Sequence, residues 1–317
     1  MKTRQRGVAL VTAMLIVAIV AVVATSLALG QQVWLRQTQN LVDLAQAERL
    51  RQAALEFAAA LLVDDARRGP IDHLMEPWAQ PVPPLPVEGG TVVVSIADAQ
   101  ARLNLNNLAI IPPGQPNHYI PVLARLLTLH DLPPLADALI DWLDNDLTVR
   151  PGGAEDLDYL NHDPPYRAAN RALTSVDELR LVKGFTPEMV AALRDDVVAL
   201  PTSLVATPIN INTASAAVLA ALGGIDPTQA EQLVKARETN PFTDPKQVQS
   251  LMPGAVPQTY NLQSGYFIVS VQVRIGRVER RTEALIERTT GPNARAMVLW
   301  YRELPYPIVL DLDEADT

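Results

Sequence analysis

An unbroken apolar run dominates the amino-terminal part of the chain. Residues 8–29 (VALVTAMLIVAIVAVVATSLAL) carry no charge, and Lys2, Arg4 and Arg6 precede them. As an α-helix these 22 residues extend about 33 Å, enough for a bilayer core of about 30 Å. Because the basic residues flank the run on its amino-terminal side, the positive-inside rule keeps that end in the cytoplasm. The pattern predicts a single-pass membrane anchor with the bulk of the chain outside the cytoplasm.

The apolar run continues into an amphipathic segment. Residues 31–68 contain neither glycine nor proline. Their apolar positions recur at steps of three and four, which is the period of one helix face. The positions on this face are Leu44, Ala47, Leu50, Ala54, Phe57 and Leu61. The sequence therefore predicts one helix over residues 8–68, with a bare membrane half and a distal half packed on a domain.

Strand patterns lie on both sides of a long helical stretch. Six prolines between positions 70 and 86 predict an extended connector, and a β-branched run follows at 91–97. Residues 266–275 alternate strictly between apolar and polar, as in a half-buried antiparallel strand. A glycine turn at 276 predicts a hairpin into a strand at 278–288, and 296–303 is predicted as a last strand.

An internal repeat between these strands indicates paired helices. Residues 182–193 align without gaps with residues 222–233, and each copy contains a glycine turn followed by a capping residue and a proline. Thr186 and Asp226 are the predicted N-caps, and proline suits the first helical position. The repeat predicts two helix-hairpin-helix, or SAM-like, units inserted into the sheet.

The predicted fold class is α+β. A long amino-terminal transmembrane helix and a small antiparallel sheet carry a large all-helical insertion. In chain order the parts are a leader at 1–7, the helix at 8–68, the proline-rich connector and first strand at 69–98, a first SAM-like part with an acidic loop at 99–205, a second SAM-like unit at 206–262, and antiparallel strands with an acidic tail at 263–317.

Helical hairpins often bind nucleic acid, but the charge of this chain argues against that function. The chain has 26 Lys and Arg against 35 Asp and Glu, a net charge of −9, and 48% apolar residues exclude a disordered chain. Within residues 206–260, three basic side chains face four acidic ones. Because nucleic-acid binding depends on cationic neutralisation of phosphates, we predict no nucleic-acid partner. The hairpins are interpreted as a structural or protein-contact scaffold.

Carboxylates crowd into residues 141–158. They are Asp141, Asp144, Asp146, Glu155, Asp156 and Asp158. Only Arg150 opposes them, so a tight fold requires protonation or a bridging cation. Hard oxygen ligands favour calcium or magnesium over zinc, and an irregular loop suits the flexible coordination of calcium. Val149 stands where an EF-hand loop requires glycine, so the segment is not an EF-hand. A solvated acidic loop without a metal remains the alternative.

The sequence offers no catalytic constellation. The absence of cysteine removes thiol catalysis and cysteine-ligated metals. The four histidines, His73, His118, His130 and His162, show no ligand spacing, and no G-x-S-x-G motif is present. The paired acids cluster in one loop, whereas glycoside hydrolysis requires acids on facing walls of a cleft. We therefore predict that the chain is not an enzyme.

The short basic leader resembles the type III signal of type IV pilins and pseudopilins. It ends in Arg6-Gly7 and joins the apolar run without a spacer. This resemblance implies that a prepilin peptidase cleaves after Gly7 and methylates the new amino terminus, Val8. The fifth mature position is Thr12, where pilins usually carry glutamate. A plain signal anchor, or a signal peptide cleaved at residues 26–28, are the alternatives.

Several segments together resemble the minor pseudopilin K of the type II secretion system, the general secretion pathway protein K family. In family order they are RGVALVTAMLIV (6–17), DAQARLNLNNL (98–108), DWLDNDLT (141–148), GAEDLDYL (153–160), PPYRAANRALTSVDELRLVKG (164–184) and ININTASAAVLAAL (209–222). Members of this family also lack glutamate at the fifth mature position, which agrees with Thr12. The resemblance covers most of the chain.

The resemblance implies a pseudopilin fold and a place at the tip of a short periplasmic pseudopilus. Its implied partners are minor pseudopilins I, J and H, the major pseudopilin G, prepilin peptidase, the inner membrane and the exported proteins. The implied role is to initiate and cap the pseudopilus, so that folded proteins leave the periplasm across the outer membrane. The resemblance also implies calcium in the helical domain, with Asp144, Asp146, Glu155 and Asp156 as ligands and Asp141 as a further candidate.

Two other functions remain open from the sequence. A signal-anchored periplasmic calcium-loop binding protein shares the acidic loop and the topology, but it keeps its full amino terminus. A membrane-anchored DNA-uptake protein uses helical hairpins, but it requires a basic face.

Overall fold

A long helix begins the part of the chain that the structure describes. The computed structural model describes residues 5–110, 116–201 and 205–304. Helix α1 (Gln5–Arg68) is continuous and carries the predicted mature start and Thr12. It is long and apolar enough to cross a membrane, by length and composition. The first residues of the predicted leader, 1–4, and the predicted acidic tail, 305–317, lie outside the described residues.

The distal part of α1 packs on a sheet largely through the predicted stripe. Ala47 and Ala54 are buried in the core, and Leu44, Leu50 and Leu61 pack against it. Phe57 is the exception, because its side chain is 51% exposed.

The buried face is wider than the predicted stripe. It also contains Leu55, Ala58 and Leu62, together with the charged residues Arg51 and Asp65. Arg51 Nε donates to Glu48 Oε2 at 3.0 Å, and Asp65 pairs with Arg288 as described below, which makes this burial tolerable.

Five strands form the main sheet in the order β1-β2-β7-β8-β9, with every neighbouring pair antiparallel. All the strands of the described chain, in order, are β1 (Leu85–Val87), β2 (Gly90–Asp98), β3 (Leu103–Asn104), β4 (Val197–Val198), β5 (Ile209–Asn210), β6 (Tyr260–Asn261), β7 (Tyr266–Ile275), β8 (Val278–Arg288) and β9 (Ala296–Glu303). The four predicted strands are confirmed as β2, β7, β8 and β9. The two-residue strands pair in parallel, β3 with β4 and β5 with β6.

The proline-rich connector is more ordered than predicted. It was expected to be extended throughout, but β1 forms inside it and pairs with β2. β1 is an edge strand, which is where Pro86 is tolerated, because its missing N–H faces outward. Trp78 of the connector is only 2% exposed and meets the ring of Phe267 edge-on at 5.2 Å. The connector therefore contributes to the core between α1 and the sheet.

The segment between β2 and β7 carries the predicted helices, but the prediction that it is all-helical is wrong, because the short paired strands β3, β4, β5 and β6 lie within it. Its α-helices are α2 (Tyr119–Leu129), α3 (Ala136–Leu143), α4 (Asp156–Tyr159), α5 (Pro187–Leu193), α6 (Ala216–Gly223), α7 (Pro227–Thr239) and α8 (Pro245–Leu251). Its 3-10 helices are Ala99–Ala101, Leu105–Ala109, Val176–Leu181 and Pro257–Thr259. We call residues 99–262 the helical insertion. It has its own apolar core, centred on residues such as Leu126, Leu139 and Leu219.

Both repeat units take the predicted hairpin form. Thr186 and Asp226 cap α5 and α7 with their side chains, and a proline occupies the first turn of each helix. The turn glycines Gly184 and Gly224 have φ values of +88° and +59°, a region that favours glycine. In the first unit, the helix before the turn is the 3-10 helix Val176–Leu181.

A buried polar network joins the insertion to the sheet. The Asp98 carboxylate, at the end of β2, accepts hydrogen bonds from Ser264 Oγ at 2.6 Å, Thr213 Oγ1 at 2.6 Å and Asn210 Nδ2 at 2.9 Å. The Gln100 backbone N–H donates to the same carboxylate at 2.7 Å. Burial raises the pKa of Asp98. Its donors are Gln100 at the start of the insertion, Asn210 and Thr213 within it, and Ser264 just after its end, so this one side chain connects the insertion to the sheet.

A second buried cluster closes the far end of α1. Arg288 of β8 donates to Asp65 Oδ2 at 2.8 Å and to both oxygens of Asp72, at 2.6 and 2.7 Å. The Arg288 side chain is 1% exposed. Burial, together with the nearby charges of Glu76 and Asp72, raises the pKa of Asp65 to about 7. Asp65, Asp72 and Glu76 each have a carboxylate oxygen within 4.8 Å of the other two, and Arg288 pairs with Asp65 and Asp72.

Candidate metal centre

The acidic loop connects α3 to α4 on the surface of the insertion. α3 ends at Leu143, and the Asp144 backbone N–H still bonds to Ile140 O at 2.9 Å. The flanking aromatic rings of Trp142 and Tyr159 pack edge-on, 5.1 Å apart. Both ends of the loop therefore start from fixed, buried positions.

A glycine pair lets the loop fold back onto Asp141. Gly152 has a φ of +115°, which disfavours other residues. A Cβ at Gly153 would lie 1.9 Å from Asp141 Oδ2, so no side chain fits there. The Arg150 backbone N–H donates to the same oxygen at 3.1 Å. This close approach brings the carboxylates from the two ends of the loop together.

Three of the predicted ligands converge. Asp144, Asp146 and Glu155 each offer a carboxylate oxygen within 4.8 Å of the other two. Both oxygens of Glu155 and one oxygen of Asp144 are buried without a hydrogen-bond partner in the described chain. Burial and the neighbouring acids raise the pKa of Glu155 to about 7. We call Asp144, Asp146 and Glu155 the carboxylate group; it is an arrangement that a cation would stabilise.

Asp141 lies beside this group, and Arg150 connects them. Asp141 is fully buried, and burial raises its pKa. Arg150 Nε is 3.3 Å from Asp141 Oδ1, and Arg150 Nη2 is 3.5 Å from Asp144 Oδ2. Arg150 thus pairs with Asp141 and Asp144, while Asp146 and Glu155 lie beside them. One guanidinium among four carboxylates leaves an excess of negative charge.

Asp156 does not join the carboxylate group in this structure. Its carboxylate accepts hydrogen bonds from Arg167 Nη1 and from the Ala168 backbone N–H, both at 3.1 Å. The neighbouring Asp158 pairs with Lys183 Nζ at 2.7 Å. Both side chains begin α4, where negative charge suits the helix terminus. The sequence could not distinguish these structural acids from the others, because all of them occur in one charge cluster.

A Ser, Asp and His contact elsewhere in the insertion has the wrong order for catalysis. His130 Nε2 lies 2.8 Å from Asp196 Oδ2, and Ser215 Oγ donates to Asp196 Oδ1 at 2.5 Å. In a hydrolase triad the histidine lies between the serine and the acid. Here the acid lies between them, and Ser215 also caps α6 by accepting from the Val218 N–H at 3.1 Å. The contact joins elements of the insertion.

Comparison with known proteins places the chain in a family. The family model described as type II secretion system (T2SS), protein K matches in two parts, at residues 101–202 and 209–267. Type II secretion system protein K of Pseudomonas aeruginosa is 36% identical over 313 residues, covering 94% of this chain and 93% of the relative. The chain belongs to the type II secretion system protein K family. The protein K of Klebsiella pneumoniae is 32% identical over 314 residues, covering 91% of this chain and 94% of the relative.

A solved protein K structure has the same fold. The chain is similar to a chain in the crystal structure of the GspK-GspI-GspJ complex from the enterotoxigenic Escherichia coli type 2 secretion system. The TM-score is 0.71 at 26% identity, covering 85% of this chain and all of the other. The predicted family and the predicted fold class are both confirmed. This chain is a minor pseudopilin of type II secretion, and its carboxylate group lies within the first matched part of the protein K family.

Proposed function

We propose that this chain sits at the tip of the type II secretion pseudopilus, which it helps to initiate and cap. Its partners in this proposal are minor pseudopilins I, J and H, with the major pseudopilin G below. The observation that carries the proposal is the full-length similarity to protein K, together with a structural neighbour solved in complex with GspI and GspJ. The role is not catalytic: the chain acts by assembly, in support of protein export across the outer membrane.

In this proposal α1 is the membrane anchor. The chain crosses the inner membrane once, with the amino terminus in the cytoplasm and the body in the periplasm, as the basic leader requires. Prepilin peptidase cleaves after Gly7 and methylates Val8. The fifth mature position is Thr12, which carries no charge. Its Oγ1 donates to Ala9 O at 3.0 Å within α1. A tip subunit has no subunit above it whose terminal ammonium would need a carboxylate there.

Loss of the chain tests the capping role. Because the insertion makes the body bulky at the distal end, we expect a strain without the chain to secrete less exported protein and to form pseudopili of altered number and length. Secretion is measured by enzyme assay of the culture medium, and pseudopili are measured by electron microscopy of cells that overproduce the major pseudopilin. The full chain supplied in trans is the control. Pseudopili of unchanged number and length would contradict the capping proposal.

We also propose that the carboxylate group binds calcium. Asp144, Asp146 and Glu155 supply converging oxygens, several of them buried without hydrogen-bond partners. Asp141 is a further candidate because its Oδ1 accepts no hydrogen bond from the described residues, although Arg150 Nε lies 3.3 Å away. Asp156 can join only by giving up its contacts with Arg167 and Ala168. A bound calcium ion would supply the positive charge that Arg150 alone does not, and so would order the loop.

Replacing Glu155 should remove the stabilisation by calcium. At a calcium concentration of about 100–1,000 times Kd, the wild-type chain gains about 3–4 kcal/mol. Glu155→Gln should lose most of this gain because it removes the most buried charge of the carboxylate group. Thermal unfolding in calcium and in chelator measures the difference.

The matched control for this experiment is Asp158→Asn, a nearby acid that pairs with Lys183 outside the carboxylate group. It should keep the calcium response. Arg150→Gln should strengthen calcium binding, because it removes a competing cation from Asp141 and Asp144. A wild-type chain whose unfolding temperature is the same in calcium and in chelator contradicts the calcium proposal.

A further inference from the structure

The two helical hairpins of the insertion differ in what their glycine turns contact. In the first hairpin, a Cβ added at Gly184 would lie 2.6 Å from Cδ2 of Leu135, the residue that immediately precedes α3. In the second hairpin, a Cβ added at the equivalent Gly224 would lie 2.9 Å from Nη1 of Arg125 in α2. We call residues 181–184 the clamp turn. The clamp turn therefore packs on the helix that leads into the acidic loop, whereas the second turn packs on α2.

Hydrogen bonds join the clamp turn to the other side of the acidic loop. The Lys183 backbone N–H donates to Tyr159 Oη at 3.3 Å, and Lys183 Nζ donates to Asp158 Oδ1 at 2.7 Å. Tyr166 Oη donates to the backbone oxygen of Leu181 at 3.0 Å. Asp158 and Tyr159 belong to α4, and Tyr159 is fully buried. The clamp turn thus contacts the helix that leaves the loop as well as the helix that enters it.

These two helices carry ligands of the carboxylate group. Asp144 immediately follows α3, and Glu155 immediately precedes α4. The Glu155 backbone N–H donates to Asp158 Oδ2 at 3.4 Å, so Lys183 and Glu155 bind the two oxygens of one carboxylate. Since each ligand is attached to the end of a helix, the distance between Asp144 and Glu155 depends on how α3 and α4 are held against each other. The clamp turn contacts both helices.

Holding the two helices together matters because the members of the carboxylate group repel one another. Asp144, Asp146 and Glu155 bring three acids together, and like charges disfavour the ionised forms that a metal requires. If the repulsion moves the acids apart, part of the binding free energy of the cation is used to bring them back together. Residues that support metal ligands from behind keep the ligands in place, and replacing them lowers metal affinity by about 10–100-fold.

We propose that the clamp turn positions Asp144 and Glu155 for calcium, with Lys183 and Gly184 as its positioning residues. This inference rests on the calcium site given under Proposed function. Because coupling between two sites is reciprocal, calcium in the loop stiffens the first hairpin, and loosening that hairpin weakens calcium binding by the same factor. The two hairpins of the repeat therefore differ in function although they share a fold.

The test compares Gly184→Ala with its matched control, Gly224→Ala, in the full chain in mild detergent. Both glycines have positive φ values, +88° and +59°, and both substitutions leave the charge of the chain unchanged. Each should therefore lower the free energy of unfolding in chelator by a similar amount. Only Gly184→Ala should weaken calcium binding, with a Kd about tenfold higher in isothermal titration with calcium chloride. Gly224→Ala should keep the wild-type Kd to within about twofold.

A second variant keeps the test valid if Gly184→Ala does not fold. Tyr166→Phe removes only the hydroxyl that donates to Leu181 O. The loss of one neutral hydrogen bond should raise the calcium Kd about threefold. Asp158→Asn retains an oxygen that accepts from Lys183 Nζ, so in that variant the clamp turn stays attached and the calcium response is kept.

Hydrogen exchange provides a readout that does not need calcium. In chelator, the amides of residues 153–160 should exchange faster in Gly184→Ala than in the wild type or in Gly224→Ala. In the wild type, calcium should slow the exchange of α5, which follows the clamp turn.

The outcomes separate this proposal from the calcium proposal. An unchanged Kd in both Gly184→Ala and Tyr166→Phe, or an equal rise in the two glycine variants, overturns the positioning role but leaves the calcium site standing. Loop exchange in chelator that is the same in the wild type and both glycine variants contradicts the positioning role as well. A wild-type chain that binds no calcium overturns both proposals.

Discussion

Replacing Arg288 with methionine should destabilise the folded chain by about 3–5 kcal/mol. Arg288 pairs with the buried carboxylates of Asp65 and Asp72, and Glu76 lies beside those two acids. Methionine has a similar length and keeps the apolar stem, so the loss comes from the charge. The carboxylates would remain buried without their cation. Removing one partner of a buried ion pair lowers the free energy of unfolding more than replacing both partners by apolar residues does.

The loss of folding stability in Arg288→Met should depend on pH. Asp65 already has a pKa raised to about 7, so the folded state binds a proton that the unfolded state releases above about pH 4. Stability from this group therefore falls as the pH rises from 4 to 7. Removing Arg288, which lowers the pKa of Asp65, raises that pKa further. The destabilisation should accordingly be larger at pH 8 than at pH 5.

Urea unfolding of the full chain in mild detergent measures this effect. The signal is tryptophan fluorescence, to which the buried Trp78 contributes. The matched control is Arg280→Met in the same strand. Arg280 pairs with Glu48 and Glu303 at a half-exposed site, where ion pairs contribute about 0–1 kcal/mol. An equal loss in the two variants would contradict the argument from burial.

Replacing Asp98 with alanine should loosen the insertion from the sheet and cost about 3–5 kcal/mol. Four donors lose this acceptor, and three of them are side chains, those of Asn210, Thr213 and Ser264. Asn210 keeps its bond to Asp72 O at 3.2 Å and Thr213 keeps its bond to Asn210 O at 3.3 Å. An unsatisfied buried donor costs about 1–3 kcal/mol. Neighbouring donors share this cost, so the total is less than a simple sum.

Hydrogen exchange shows which part of the chain is loosened by the loss of Asp98. In Asp98→Ala, amides of the two-residue pair formed by β5 and β6 should exchange faster, while those of β7 and β8 keep most of their protection. Asp226→Ala is the control, because it removes an exposed helix cap worth about 1 kcal/mol. Uniform loss of protection throughout the chain would mean that Asp98 stabilises the whole fold and does not act as a joint.

The strands were predicted accurately where two signals coincided. The alternation of residues 266–275 and the glycine turn at 276 fixed β7 and β8 to the residue. β1 was missed because proline is a breaker in most strands, and only its edge position makes Pro86 acceptable. The stripe on α1 was predicted except at Phe57, and the buried Arg51 and Asp65 were missed because charged residues in a sequence are expected at the surface.

The candidate site was predictable in composition but not in geometry. The density of acidic residues in the sequence was enough to locate the loop, and carboxylate ligands favour hard cations. Which acids converge depends on the fold-back at Gly152 and Gly153, and on Arg167, which engages Asp156 from a distant segment. The clusters around Arg288 and Asp98 were invisible for the same reason: their members are far apart in the chain.

The continuity of α1 has a mechanical consequence. The helix is unbroken from the apolar run to Arg68, and no glycine or proline interrupts residues 31–68. These 38 residues extend about 57 Å. A tilt of the helix by about 10° would therefore displace its far end by about 10 Å. Because the sheet packs on the distal part of α1, such a tilt is transmitted to the core.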